Sequence, residues 1–198
     1  NEVIANLALE AMGKEKGEYS FLHPNNDVNM AQSTNDAYPT AIRVGLLLGQ
    51  NDLLASLEGL IGAFAAKGDE FSHVLKMGRT QLQDAVPMTL GQEFKAFAAN
   101  LSEDLNRLRL LSNDLFAPVN LGGTAIGTGI NADPRYQGIA VERLAAICGY
   151  PIKAAPDLIE ATSDMGSFVL FSGMLKRTAV KLSKICNDLR LLSSGPRT

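Results

Sequence analysis

The chain has 198 residues, 46% of them hydrophobic, and a formal net charge of -3 at pH 7. This hydrophobic content argues against a disordered chain, and the length suffices for one large domain or two small ones. The negative net charge, without a stripe of lysine and arginine interleaved with aromatics, argues against a nucleic-acid partner. No segment approaches the roughly 18 to 20 uninterrupted apolar residues of a transmembrane helix, so we expect no membrane partner.

The two cysteines bear on the cellular compartment and on metal binding. Cys148 and Cys186 both fall in helical patterns among apolar neighbours. We therefore expect reduced, buried thiols in a cytoplasmic protein, because disulfides are rare in reducing compartments. The sequence contains no zinc or haem ligand spacing, and we predict no metal site and no cofactor.

The first thirty residues indicate the end of a helix and then a loop. Apolar residues at helical spacing up to Met12, followed by Gly13, are typical of a helix that ends in a left-handed glycine. No initiator methionine, cap or signal peptide precedes this helix, so we expect the chain to be cut from something longer. Lys14 to Met30 lacks periodicity and is predicted to be a loop. His23 lies in that loop before a proline, as either an ordinary surface histidine or a functional one.

A polar run precedes a stretch in which apolar residues recur at helical spacing. If Asp36 is the N-cap of this helix, Pro39 falls in the first turn, where its missing N–H is not needed. The residues just outside the helix, at the positive end of its dipole, are then Ser33, Thr34 and Asn35. Such residues either bind a carboxylate through hydroxyl, amide and backbone N–H groups or simply cap the helix.

Two long amphipathic patterns flank a polar stretch from Lys76 to Pro87. The first pattern predicts a helix from about Asn51 to Phe71, and the second predicts a helix from Leu90 to Leu115. Gly78 and Pro87 punctuate the polar stretch, since glycine permits a backbone turn and proline favours an extended residue before it. Its donors and acceptors suit recognition of a small polar or anionic ligand, and they equally suit an ordinary hydrogen-bonded loop.

Pro118 ends the second long helix, and a glycine-rich run from Asn120 to Asn131 follows. The run lacks the lysine of a P-loop and has no strand before it, so a phosphate cradle is disfavoured. We interpret it as an irregular crossover that shapes a pocket. Tyr136 to Cys148 then predicts an amphipathic helix that ends at Gly149.

The final helix has the clearest pattern in the chain. Its predicted seam residues step by three and four alternately: Met165, Phe168, Ser172, Leu175, Ala179, Leu182, Cys186 and Leu189. Gly166 and Gly173 each cost about 1 kcal/mol relative to alanine in a helix interior, so we expect close packing against another helix to compensate. Apolar residues also lie beyond the seam, and we predict that the helix is buried against identical copies of the chain. Ser193 to Pro196 is predicted to stop it.

Long helices separated by polar loops, without strand alternation, predict an all-α fold, a long-helix bundle with sites where loops meet helix ends. His23 to Asn25, Gln32 to Asp36 and Gly78 to Pro87 resemble motifs of the aspartase/fumarase superfamily. The resemblance covers essentially the whole chain. It implies that residues 1–198 are the central helical-bundle domain, without the N-terminal domain, the catalytic serine loop and the C-terminal domain.

Within the superfamily, the chain is most similar to the ammonia-lyase members. Asp157 to Asp164 and Lys184 to Arg197 resemble their sequences, and Gln81 occupies the position at which class II fumarases have histidine. The resemblance implies reversible anti-elimination of ammonia from L-aspartate, a small dicarboxylate, to give fumarate. It also implies a homotetramer that pools its long helices in one bundle, with each active site assembled from three subunits.

The resemblance assigns substrate-binding roles to Ser33, Thr34, Asn35, Thr80 and Gln81. Ser33, Thr34 and Thr80 match hydroxyls that bind carboxylates, and Asn35 matches a substrate-contacting amide. These donors would hold the charge that develops on the β-carboxylate when the neighbouring carbon loses its proton. Gln81 lies near the leaving group, where a neutral amide cannot relay a proton as imidazole can. That fits a leaving ammonium, which is already protonated.

Other positions of the superfamily match less well or lie outside the chain. Its second anion site matches His23 with Asn25, whereas Asn26 replaces the aspartate often found there. The proton-abstracting serine belongs to a loop downstream of Pro196, and a substrate-binding threonine belongs upstream of Asn1. We therefore expect no catalytic residue in the chain and no lyase activity from these 198 residues alone.

Two alternative functions remain open. The first is a class II fumarate hydratase, which assays with aspartate and with malate would distinguish. The second is a non-catalytic structural protein with the lyase fold, similar to lens proteins of this fold. The polar residues Ser33, Thr34, Asn35 and Thr80 argue against this second alternative.

Overall fold

The computed structural model describes residues 1–195, so the stop predicted at Pro196 and the end of the motif at Arg197 lie outside the described residues. The chain divides into two compact units. Unit 1 contains Asn1–Leu46 and Phe116–Asp164, and unit 2 contains Leu47–Leu115 and the residues from Met165 onward. Helices dominate both, which confirms the predicted all-α class.

The helices are α1 (Glu2–Ala11), α2 (Thr34–Glu70), α3 (Leu90–Phe116), α4 (Tyr136–Cys148), α5 (Leu158–Ser163) and α6 (Gly166–Leu192). A short π-helical turn spans Pro24–Val28. Two small sheets are formed by the antiparallel pair β1 (Leu75–Thr80) and β2 (Gln83–Thr89) and by the parallel pair β3 (Pro118–Val119) and β4 (Lys153–Ala154). Across residues 1–195, no helix combines the length and the apolarity needed to span a membrane.

α2 is one helix of 37 residues, where the sequence predicted a break and a new helix from about Asn51. The prediction was wrong because Gly45 and Gly49 interrupt the apolar pattern there. Glycine weakens a helix by about 1 kcal/mol relative to alanine but does not end it. A Cβ at either glycine would meet nothing within 4 Å, so neither glycine marks a close contact.

The core of unit 2 is built by the second part of α2 together with α3 and α6. Phe64, Phe97, Leu101 and Ile185 are buried in it, and the rings of Phe64 and Phe97 meet edge to face with centroids 5.6 Å apart. At one end of this core the two helices that flank the hairpin approach closely. A Cβ at Gly91 would lie 2.3 Å from the carbonyl oxygen of Gly68, so a side chain at Gly91 would separate α2 from α3.

Unit 2 also contains a buried carboxylate between α3 and α6. The side chain of Asp104 has an exposed fraction of 0%. It accepts a hydrogen bond from the Thr178 hydroxyl at 3.1 Å and from Lys181 Nζ at 2.9 Å, and Arg177 lies 3.2 Å away. Because the charge is both paired and hydrogen-bonded, its burial is tolerated.

The bounds of α6 confirm the predicted helix, but its buried face differs from the predicted seam. Phe171, Met174, Thr178 and Ile185 are buried, whereas the seam members Met165, Ser172, Leu175, Ala179 and Cys186 are exposed. The buried face is displaced by one residue because Thr178 faces Asp104, and this polar contact breaks the apolar repeat. Most of the predicted seam therefore lies on the outside of the single chain, although Leu182 and Leu189 pack against its core.

Two further expectations for the helices concern Gly173 and the cysteines, and the second is wrong for Cys186. A Cβ at Gly173 would meet nothing of this chain within 4 Å, so the expected close packing against another helix stays a prediction for the contact between copies. Cys186 is exposed and Cys148 is half-buried, and both are free thiols. Cys186 was expected to be buried because it fits the seam pattern, and it is exposed because that seam faces outward.

Unit 1 has a smaller core. Ala5 and Leu9 are the buried residues of α1, and Val141 is buried on α4. The predicted glycine ends of these helices are confirmed, since Gly13 and Gly149 both have φ of 71°. These left-handed glycines let the chain leave each helix without steric strain.

Candidate functional site

The first turn of α2 contains three of the predicted site residues. α2 begins at Thr34 with Ser33 before it, so the predicted N-cap at Asp36 was wrong. Ser33 Oγ accepts from the Asn35 N–H at 3.2 Å, and Asp36 Oδ1 accepts from the Ser33 N–H at 2.8 Å. The two bonds form a variant of the capping box, in which aspartate replaces the usual glutamate and the Ser33 hydroxyl accepts from the second residue of the helix and not the third. Thr34 and Asn35 therefore lie inside the first turn, still at the positive end of the helix dipole.

The Asp36 side chain joins this turn to the glycine-rich loop between β3 and α4. Its second oxygen, Oδ2, accepts from the N–H of Gly122 at 3.1 Å and of Thr124 at 2.9 Å. Gly122 and Thr124 have positive φ, 90° and 58°, which orients both N–H groups toward the carboxylate. For threonine this conformation is strained, so the surrounding contacts must hold it in place.

The glycine-rich loop is held on two further sides. Asn35 Nδ2 donates to the Ala125 carbonyl at 2.8 Å. On the other side Gly127 packs directly on α5, where a Cβ would lie 2.5 Å from the Cα of Ile159. The loop is therefore an irregular but closely packed segment, as the sequence predicted, although the two-residue strand β3 does precede it.

A cleft of about 550 Å³ lies between the start of α2 and this loop. One wall is formed by Ala31, Gln32 and Ser33, and the other by Thr124, Ala125, Ile126, Thr128, Ile130 and Asn131. Ala31 and Thr124, one on each wall, are non-glycine residues with positive φ of 60° and 58°. Strained residues of this kind cluster at ligand-binding sites, and the cleft offers hydroxyl and amide groups beside apolar surface.

The polar stretch that contains Thr80 and Gln81 is a β-hairpin, which the sequence prediction missed. β1 and β2 are joined by the two-residue turn Gln81–Leu82, with φ of 54° and 62°. Two left-handed residues at these positions are the pattern of a type I′ turn, which usually contains asparagine and glycine. Gly78 does not form the turn. It lies at an irregularity of the β1–β2 pairing, where a Cβ would come within 3.1 Å of Met88 and Val86.

The charged groups of the hairpin are paired with each other or with α3. Lys76 forms an ion pair with Glu93, and Arg79 lies 3.9 Å from Asp84. Thr80 and Gln81 are exposed at the end of the hairpin. This end of unit 2 therefore presents a neutral hydroxyl and a neutral amide, flanked by cations that already have carboxylate partners.

His23 and Asn25 lie together at the π-helical turn. His23 Nδ1 accepts from the backbone N–H of Asn25 at 3.1 Å and of Asn26 at 3.2 Å, and the His23 N–H donates to Asp27 Oδ2 at 2.6 Å. Because Nδ1 is an acceptor, the proton of the neutral imidazole is on Nε2. An anion at this turn would therefore meet Nε2 and the side-chain amides, since both backbone N–H groups are already used.

Tyr136 and Arg43 of unit 1 both have shifted pKa values. Burial raises the pKa of the Tyr136 phenol, and the charge of Asp36 raises it further. Burial lowers the pKa of Arg43, which the carboxylates of Asp164 and Glu160 partly offset. Within residues 1–195, no three histidine, cysteine or acidic side chains are grouped so that they could hold a metal ion.

The structure thus gathers the predicted residues into three local groups. They are Ser33, Thr34 and Asn35 on α2, Thr80 and Gln81 on the hairpin, and His23 and Asn25 at the π-helical turn. Sequence reasoning missed the contact of Asp36 with the glycine-rich loop. The Ser-x-x-Asp spacing signals its capping role, but nothing local signals bonds to residues more than 80 positions away.

All 198 residues match the profile of a protein family described as Lyase. The chain belongs to this lyase family, in the aspartase/fumarase superfamily. The resemblance inferred from the motifs is therefore confirmed.

Curated relatives narrow the comparison. Aspartate ammonia-lyase of Pseudomonas canavaninivorans is 82% identical over 198 residues, and that of Escherichia coli K12 is 56% identical over 197 residues. Both matches cover 100% of this chain, which spans 42% and 41% of the two relatives.

Solved structures agree with the fold. A cobalt-bound Brucella melitensis protein described as fumarate lyase:delta crystallin has a TM-score of 0.96 and 62% identity, over 99% of this chain and 42% of its own. Class II fumarase of Schistosoma mansoni has a TM-score of 0.92 and 30% identity, over 98% of this chain and 44% of the fumarase chain. The backbone is thus shared by proteins whose names differ in activity, so the fold alone does not define the substrate.

Proposed function

We propose that this chain is the central part of an aspartate ammonia-lyase, which catalyses the reversible anti-elimination of ammonia from L-aspartate to give fumarate. The observation that supports this most strongly is the 82% identity to the Pseudomonas canavaninivorans enzyme over the whole chain. At 30% identity, the Schistosoma mansoni fumarase has far less in common with this chain. The proposal concerns a longer protein, since the chain spans 42% of the first relative.

The start of α2 supplies the first set of substrate contacts in this proposal. The hydroxyls of Ser33 and Thr34 bind a carboxylate of the substrate, assisted by the positive end of a 37-residue helix. Asn35 binds the substrate through the end of its amide that is not bonded to Ala125. Since these groups are neutral and held in place by the capping box, they need little reorganisation as negative charge develops.

The hairpin supplies the second set of contacts. The hydroxyl of Thr80 donates to the β-carboxylate, on which charge accumulates as the neighbouring carbon loses its proton. Gln81 faces the leaving group with an amide that neither gains nor loses a proton. An ammonium group leaves without a general acid, whereas a hydroxyl group benefits from one, so glutamine at this position favours ammonia elimination over water elimination.

The remaining parts of the active site come from other segments and other copies. The base, a serine, lies outside these 198 residues, and each site combines residues of three subunits of a homotetramer. The outward-facing apolar residues of α6, among them Val169 and Val180, support such an assembly, because a helix that is apolar on several sides needs several partners. We place the enzyme in the cytoplasm, which the free thiols of Cys148 and Cys186 support.

His23 and Asn25 form a second anion site in this proposal. Because His23 Nδ1 already binds two backbone N–H groups, the Nε2–H and the Asn25 side chain are the groups that receive the anion. This site is separate in sequence from the substrate contacts on α2. Its ligand is a carboxylate or another small anion.

The test is a steady-state assay of the full-length protein with L-aspartate and with L-malate, each followed by fumarate formation. We expect fumarate from L-aspartate with a kcat/KM at least about 100-fold above that for L-malate. The reverse preference would identify a fumarase. No turnover of either substrate by a folded, assembled protein would favour the structural alternative.

A further inference from the structure

We propose that Asp36 is a positioning residue for substrate binding. Its buried carboxylate holds the Ser33 end of α2 against the glycine-rich loop and thereby sets the width of the cleft that receives the diacid. The inference rests on the proposed lyase function. It adds a residue that does not touch the substrate but fixes two segments that do.

The bonds of Asp36 divide between the two walls of the cleft. Oδ1 accepts from the Ser33 N–H at 2.8 Å, and Oδ2 accepts from the N–H groups of Gly122 and Thr124 at 3.1 and 2.9 Å. The residues on the two sides, Ser33 and Thr124, both line the cleft. The Asp36 carboxylate therefore ties the two walls of the cleft together, alongside the bond from Asn35 Nδ2 to the Ala125 carbonyl at 2.8 Å.

The partners of Asp36 point to a geometric role. The side chain has an exposed fraction of 0%, and among residues 1–195 the ion pairs do not include it. Within the described residues, the hydrogen bonds that its two oxygens accept come from the backbone N–H groups of Ser33, Gly122 and Thr124. A buried carboxylate that accepts from backbone N–H groups fixes the positions of those main-chain segments, because the bonds are made to the backbone and not to side chains.

The loop needs such a tether because its own conformation is strained. Thr124 has φ of 58°, a left-handed conformation that is unfavourable for a non-glycine residue. If the carboxylate became an amide, one oxygen would be replaced by an N–H donor, so either the Ser33 N–H or the N–H groups of Gly122 and Thr124 would lose their acceptor. The loop would then retreat from Ser33 and the cleft would widen.

A displacement of about 1 Å at a substrate contact costs on the order of 100-fold in rate, and that is the scale we expect here. The variant is Asp36→Asn in the full-length protein, which keeps the size of the side chain. The matched control is Asp104→Asn, an equally buried aspartate of unit 2 that binds Thr178, Lys181 and Arg177 and lies in no proposed substrate contact. Both are assayed well below their unfolding midpoints.

We expect Asp36→Asn to lower kcat/KM for L-aspartate about 100-fold and to raise both KM and the inhibition constant of succinate at least 10-fold. Succinate is a four-carbon diacid that cannot eliminate, so it reports binding without chemistry. Asp104→Asn is expected to lower the unfolding midpoint by at least as much as Asp36→Asn. Its kcat/KM and succinate inhibition should stay within about threefold of the wild-type values.

Three outcomes would overturn the inference. The first is a kcat/KM of Asp36→Asn within threefold of the wild-type value. The second is a loss of kcat/KM in both Asp36→Asn and Asp104→Asn that is proportional to the fall in unfolding midpoint. The third is that neither Asp36→Asn nor Asp36→Glu folds. The last result would assign Asp36 to the fold and not to the site. If the wild-type protein converted neither L-aspartate nor L-malate, the proposed function itself would fail, and the inference that rests on it would fail too.

Discussion

The side-chain amide of Asn120 donates to the backbone carbonyl of Asn35 at 2.9 Å. In an uninterrupted helix this carbonyl would accept from the N–H four residues later, but that residue is Pro39, which has no N–H. Asn120 therefore replaces a missing helix bond with one from the glycine-rich loop. Its second amide hydrogen bonds to Thr162 Oγ1 at 3.1 Å, so one side chain connects α2, the loop and α5.

We expect Asn120→Ala to destabilise the protein by about 1–3 kcal/mol, because it removes the donor of the Asn35 carbonyl at a part-buried contact and the bond to Thr162. Pro39→Ala restores an N–H at the position from which a helix would supply that donor. The loss in the double variant Asn120→Ala with Pro39→Ala should therefore be smaller than the sum of the single losses. Chemical denaturation of the full-length proteins measures the four stabilities. Additive losses would show that the two donors do not substitute for each other.

A second prediction separates activity from stability on the hairpin. Thr80→Ala removes a hydroxyl from the proposed β-carboxylate contact, and we expect kcat/KM for L-aspartate to fall about 100-fold, as for the loss of one oxyanion donor. Thr89→Ala is the matched control on the other strand. Thr89 Oγ1 accepts from the Gln92 N–H at 3.1 Å, and Gln92 Oε1 accepts from the Thr89 N–H at 2.9 Å, so Thr89 caps α3.

The control should show the opposite effect. Losing this cap is expected to cost about 1 kcal/mol of stability and to leave kcat/KM nearly unchanged. Steady-state kinetics and thermal unfolding of the two variants test both expectations. An unchanged kcat/KM for Thr80→Ala would remove Thr80 from the active site.

The hairpin also marks a limit of the sequence interpretation. Apolar and polar residues alternate only over Leu75 to Met77, and the turn lacks the usual asparagine and glycine, so the local signal for two strands is weak. The strands form because they continue from α2 and α3, and hydrogen bonds such as Leu90 N–H to the Val74 carbonyl at 2.8 Å close their base. The adjoining helix α3 was predicted almost to its ends, since one continuous apolar stripe defines it.

The face of α6 shows a different limit. This helix has apolar residues on more than one side: Phe171, Met174 and Ile185 are buried in the chain, whereas Val169, Leu175 and Val180 are exposed. Periodicity reveals that both sets exist, but it does not reveal which set packs within the chain and which remains available to another copy. The deciding contact is polar, because Thr178 donates to Asp104, and such a pair has no signature in hydropathy.

A third prediction concerns that same polar pair. We expect Asp104→Ala to destabilise the protein by about 3–5 kcal/mol, because it leaves the partly buried cations Lys181 and Arg177 with only the exposed carboxylate of Glu103. Glu103 is the matched control, since it lies 3.4 Å from Arg177 but has an exposed side-chain fraction of 61%. Glu103→Ala should cost less than about 1 kcal/mol. Chemical denaturation measures both free energies of unfolding. Equal losses in the two variants would show that the burial of Asp104 does not determine the strength of its ion pairs.

The last prediction concerns the exposed apolar residues of α6. Val169 and Val180 have exposed fractions of 69% and 60%, and they lie on the same helix as the outward-facing Leu175. Exposed apolar residues along one helix are typical of a surface that a partner covers, and the proposed homotetramer supplies identical copies as partners. A glutamate in the middle of such a surface would be buried without a partner charge, which is strongly unfavourable.

We therefore expect Val180→Glu in the full-length protein to sediment as species smaller than the wild-type assembly and to lose activity with it, because each proposed site needs three subunits. Ala146→Glu adds the same charge at an exposed alanine of α4 in unit 1 and should leave the assembly intact. Analytical ultracentrifugation at several protein concentrations distinguishes the two. A Val180→Glu protein that sediments like the wild type would show that this face of α6 is not part of the contact between copies, and the three-subunit site would lose its structural support.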